Sequence, residues 1–63
     1  MEETMLLWTI AELMHMTRNE LCDLAGHIEH LLPDLEAGSI LRHHALTSLE
    51  NIRRVMALRK LRF

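Results

Sequence analysis

The chain has 63 residues, 49% of them apolar, with a net charge of −2 and one cysteine. That excludes a second domain, an internal disulfide and a disordered chain. Tyr is absent, Phe and Trp occur once each, and Gly is scarce, so the vocabulary is that of helices rather than strands.

A chain this short buries only about 60% of the surface its unfolded form exposes, so folds of this size generally lean on a disulfide, a metal or a partner subunit. With Cys22 alone the disulfide drops out, and a homo-oligomer becomes the first expectation. The longest apolar run, MLLWTI from Met5 to Ile10, is far short of the ~20 residues of a membrane span. It also lacks the basic flank and small-residue cleavage site of a signal peptide. The expectation is a cytoplasmic protein without a membrane partner.

The first segment is predicted as a helix over 3–15. Leu6, Leu7, Ile10, Leu13 and Met14 share one stripe, and Met5 and Trp8 point away from it. A lone Trp outside the stripe is a contact for another subunit or is shielded by its own chain. The second segment is predicted over 18–32. Thr17 and Glu20 have capping-box spacing, Met16 and Leu21 occupy the staple positions, and Leu21, Leu24, Ala25, Ile28, Leu31, Leu32 and Leu35 keep to one face. Pro33 ends or kinks the helix because it has no N–H to donate. The third segment is predicted over 39–61, with Ser39 as its N-cap and Leu41, Ala45, Leu49, Ile52 and Met56 as its core stripe. Ile40, Leu46, Leu58 and Leu61 lie off that stripe, which suits a helix that contacts two things. Thr47 and Glu50 repeat the capping-box spacing, so a break there is the alternative.

Charge divides along the chain. Residues 1–36 hold eight acids and a single base, Arg18, whereas residues 37–63 hold six bases and one acid, Glu50. Antiparallel segments of opposite sign attract one another within or between chains. The basic end also makes Arg53, Arg54, Arg59, Lys60 and Arg62 the candidate contacts for an acidic partner or nucleic acid.

Thr17-Arg18-Asn19-Glu20-Leu21, Cys22 four residues before Gly26, and Leu35-Glu36-Ala37-Gly38 together resemble the Cro/lambda-repressor-type helix-turn-helix family. Ser48 to Leu58 resembles that family's following helix. The resemblance implies a bend about Ala25-Gly26, a second helix that reads DNA, and a role in transcription. The chain departs from the pattern at His27 and Ile28, where the turn wants an apolar residue and then a Ser or Thr cap. Pro33 would fall inside the recognition helix at a cost of about 3 kcal/mol. That helix would carry Glu29, Asp34 and Glu36 and no Arg or Lys, the wrong sign for phosphates. One continuous helix shelters Leu24, Ile28 and Leu31; two short ones leave them outside. The single helix is therefore ranked first.

Histidine is abundant, with His15, His27, His30, His43 and His44. His27 and His30, three apart beside Glu20 and Asp23, are the candidate metal ligands by spacing. The core stripes offer no inward carboxylate, so no metal and no cofactor is expected. No phosphate loop, nucleophile elbow or Cys-x-x-Cys is present, and no catalytic residue is assigned. The chain is read as a single domain over 1–63 with an all-α fold, a two- or three-helix antiparallel hairpin or bundle completed by homodimerisation. The functional expectation is a small non-enzymatic regulatory or adaptor protein that binds another protein through Met5, Trp8, Leu46, Leu58 and Leu61. A DNA-binding regulator is the second reading, and a His-rich metal-binding module the third.

Overall fold

A computed structural model describes residues 7–61. These residues form three α-helices: α1, Ile10–Leu13; α2, Arg18–Leu31; and α3, Ile40–Leu58. A 3-10 turn, Leu32–Asp34, follows α2 directly. Among the described residues there is no strand, and the protein is an all-α bundle.

The first helix is much shorter than its periodicity predicts. Residues 7–9 are not helical, which corrects the expected start; the earlier part of that segment, including Met5 and Leu6, lies outside the described residues. The cause is a capping box that stops the helix from extending backward. Thr9 accepts a bond from the Glu12 N–H at 3.2 Å, and the Thr9 N–H donates to Glu12 Oε1 at 2.9 Å. Four residues cannot hold a helix alone, because nucleation costs more than one turn returns. Leu13, fully buried, anchors α1 to the core. Met14, assigned by period to the same stripe, is instead 43% exposed, since the helix ends there and the chain turns into the next cap.

The second helix follows the sequence closely. Thr17 and Glu20 form the reciprocal cap, with the Glu20 N–H donating to Thr17 Oγ1 at 3.1 Å and the Thr17 N–H donating to Glu20 Oε1 at 2.8 Å. Leu21, Ala25 and Ile28 are buried, while Cys22, Leu24, Leu31, Leu32 and Leu35 are half-buried. The backbone does not turn at Gly26; α2 passes through it unbroken to Leu31. Pro33 sits in the first turn of the 3-10 segment; after the Leu32 N–H bonds the Ile28 carbonyl it has no N–H to continue the ladder, and α2 ends.

Gly26 lies mid-helix with nothing within 4 Å of an added Cβ. Its flexibility serves no turn there, so it only enlarges the unfolded ensemble. Gly26→Ala is expected to stabilise the fold by about 0.5–1 kcal/mol, read as a higher urea midpoint with unchanged denaturant slope. A lower midpoint would mean that the chain needs a bend at this residue.

The third helix starts at Ser39, whose Oγ accepts the Arg42 N–H at 3.1 Å. It is preceded by a turn in which the Ser39 N–H reaches the Glu36 carbonyl at 3.0 Å and Gly38 adopts φ +81°. That dihedral at the third turn position is the reason glycine stands there. No break occurs near Thr47. The buried row Ala45, Ser48, Leu49, Ile52, Val55 and Met56 runs straight through, and its packing outweighs the local capping signal. Leu41, expected in that row, is 36% exposed because it sits in the first turn, beyond the reach of α1. The helix ends at Leu58 rather than about 61. Lys60 adopts φ 57°, its N–H bonds the Ala57 carbonyl, and the Leu61 N–H bonds the Met56 carbonyl at 2.8 Å. This is a Schellman cap with Leu61 folded back onto the core.

Tertiary hydrogen bonds fix the directions. Arg42 Nη1 donates to the Leu32 carbonyl at 2.9 Å, and Arg59 Nη1 donates to the Met16 carbonyl. The two ends of α3 are thereby tied to the opposite ends of α2, so the pair is antiparallel as expected. Trp8 lies beside Ser48 and Asn51, and Met16 beside Arg59, so α1 runs alongside α3 in the same direction.

Candidate interaction surface

The core consumes one side of α3 and leaves the other in solvent. Five large apolar residues among those described are exposed, and four of them are on α3: Ile40 at 58%, Leu41 at 36%, Leu46 at 46% and Leu58 at 67%. Ile40 and Leu46 line an open groove of about 430 Å³ with Gly38, Ser39, Arg42 and His43. The groove exists because the Gly38 turn delivers the chain into α3 with no preceding helical turn over its first residues. The sequence places Ile40 off the core stripe with Leu46 and Leu58 but outside the expected interface, and gives His43 no site.

The apolar residues singled out from sequence do not form one patch. Leu46 and Leu58 are exposed on α3. Trp8 and Leu61 are half-buried and pack on the core of their own chain. The Trp8 N–H donates to Ser48 Oγ at 2.8 Å, and its carbonyl accepts from Asn51 Nδ2 at 2.9 Å. The backbone of Trp8 is therefore a clasp between α3 and the start of α1. Met5 lies outside the described residues.

The basic residues also separate by role. Arg53, Arg54 and Lys60 are exposed. Arg54 Nε lies 3.5 Å from Glu50 Oε2, an i,i+4 pair at the surface whose stabilising effect is small. Arg59 is half-buried and bonded to Met16, so its guanidinium closes the bundle. Arg62 lies outside the described residues. His27 and His30 are both exposed on α2, and among the described residues no group of three or more His, Cys, Asp or Glu is placed to hold a metal ion. Cys22 is a half-buried free thiol against the core.

Among the described residues no buried side-chain N or O lacks a hydrogen-bond partner. The buried Ser48 belongs to the Trp8 clasp. The feature left over is the outer side of α3, where exposed apolar residues alternate with charge. No helix of the described residues is long and apolar enough to cross a membrane. Comparison of the chain with protein-family models, curated proteins and solved structures gives no match in any of the three.

Proposed function

We propose that this chain is a small non-enzymatic regulatory or adaptor protein that works by binding another protein chain through the outer side of α3, and that it is itself a homo-oligomer. The observation that carries the reading is the concentration of exposed Ile40, Leu46 and Leu58 on one helix whose opposite side forms the core. Single exposed apolar residues are ordinary on protein surfaces, but several along one helix make a surface that gains by being covered. Their neighbours Arg53, Arg54 and Glu50 supply charge for orientation.

The test is a comparison of captured partners. Tagged wild-type chain and the Leu46→Asp and Leu58→Asp variants are used as bait, with helicity checked by circular dichroism. Both residues are outside the core, so the variants are expected to fold, and Leu46→Asp is expected to reduce recovery of a specific partner about tenfold or more. Equal recovery by wild type and both variants overturns the assignment of α3 as the binding helix.

A further inference from the structure

The outer side of α3 has a periodicity of its own. His43, Leu46, Glu50, Arg53, Ala57 and Lys60 follow one another at steps of three and four residues, and all are exposed. This is the spacing with which two helices pack along their length. The inner four residues of the row, Leu46, Glu50, Arg53 and Ala57, are complementary to a copy of themselves only when reversed; the outer two, His43 and Lys60, then fall at the two ends and add no attraction. Glu50 is the single acid of α3, and Arg53 stands one turn after it. A parallel copy would set Glu50 on Glu50 and Arg53 on Arg53, placing like charges together. An antiparallel copy does the opposite.

We infer that the occupant of this surface is a second copy of the chain, its α3 antiparallel to the first, related by a two-fold axis at the level between Asn51 and Ile52. At about 1.5 Å rise per residue, Glu50 and Arg53 lie about 2 Å on either side of that level, and Leu46 and Ala57 about 8 Å. Glu50 then meets the partner subunit's Arg53, and Arg53 meets the partner subunit's Glu50. Leu46 packs on the partner subunit's Ala57, and the reciprocal contact repeats it, a large side chain against a small one each time. Arg54, already paired with Glu50 within its own chain, flanks this central quartet. Each contact occurs twice, as an isologous interface requires. One 19-residue helix against its copy is a small interface, so the association is tested across a wide concentration range. The inference rests on the reading of α3 as the binding helix and names the partner for its Leu46 side; Ile40 and Leu58 lie about 120° around the helix from Leu46 and stay outside this row.

The experiment is sedimentation velocity on the full chain across a concentration series at low salt. The wild type is expected to dimerise, and Glu50→Arg and Arg53→Glu are each expected to weaken the dimer about tenfold or more, because each reversal acts at two symmetric contacts. An equimolar mixture of the two variants is expected to recover the dimer, since every contact in the mixed pair is again of opposite sign. That recovery also demonstrates that both variants are folded. A dimer indifferent to the reversals, or a mixture no tighter than its components, overturns the antiparallel register. A wild-type chain that stays monomeric overturns self-association itself, while the Leu46→Asp capture comparison separately decides whether α3 binds a different protein.

Discussion

Replacing Ile52 by Ala is expected to remove roughly half of the protein's stability, read as a much lower urea midpoint. Ile52 is fully buried in the row of α3 that faces both other helices, within the cluster that includes Leu13 of α1 and Leu21 and Ile28 of α2. Removing its branched side chain loses the transfer free energy of the buried groups and leaves a cavity that neighbours on three helices cannot all relax into. Such a change costs about 2–5 kcal/mol. At roughly 0.05–0.15 kcal/mol per residue, a chain of 63 residues has only about 3–9 kcal/mol to lose. Ile52→Val, which removes one methylene, is expected to cost about 0.5–1.5 kcal/mol and to stay folded. Urea denaturation followed by circular dichroism at fixed protein concentration checks both, with concentration held constant because self-association shifts apparent stability. Leu58→Ala, at a residue 67% exposed, is the control and is expected to move the midpoint little. If Ile52→Ala and Leu58→Ala shifted the midpoint alike, the core would not lie where α3 is drawn against α1 and α2.

The contrast between Ile52 and Leu58 also marks what sequence can and cannot supply. Both residues are apolar and both lie on α3; period alone separates them, and it assigned Ile52 to the core and Leu58 to the outside. The same reasoning placed Leu21, Ala25 and Ile28 together, and the Thr17–Glu20 box located the start of α2, because a reciprocal cap is a local arrangement. The first segment holds the same signal, yet its periodicity points to a longer helix than forms. Thr9 and Glu12 have the spacing of Thr17 and Glu20, but a continuous stripe of Leu and Ile hid the cap. Val55 and Ser48 were absent from the expected core, the first because a narrow stripe was drawn, the second because a hydroxyl does not advertise burial. What local pattern could not reveal at all are the bonds joining residues far apart in sequence. Arg59 reads as a solvated base near a helix end, and only its Met16 contact across 43 positions makes it part of the bundle. On the candidate surface, the exposure of Leu46 and Leu58 is legible in sequence; for Trp8 the sequence leaves subunit contact and shielding by its own chain open and the fold takes the second, whereas the return of Leu61 onto the core has no local signal.

The bond between Trp8 and Ser48 supplies the second large expected effect. Ser48 is fully buried, and its Oγ accepts the Trp8 N–H across 40 positions of sequence. Asn51 Nδ2 holds the carbonyl of the same residue, so two α3 side chains grip both backbone polar groups of Trp8. In Ser48→Ala the half-buried N–H loses its acceptor, and since an unsatisfied buried donor costs about 1–3 kcal/mol, a loss toward the lower end of that range is expected. The chain relieves that cost in one way, by lifting residues 7–9 off α3 so that water reaches the N–H. The release exposes the ring of the single Trp, so the emission of Trp8 is expected to shift to longer wavelength under conditions where α2 and α3 remain helical. Asn51→Ala is expected to do the same more weakly, because a carbonyl with two lone pairs tolerates loss of one donor better than an N–H tolerates loss of its acceptor. The double variant is expected to cost less than the sum of the singles, since either change alone frees the same segment. Strict additivity, or a Ser48→Ala protein with unchanged emission and urea midpoint, would show that Trp8 is held by its ring against the core and not by its backbone.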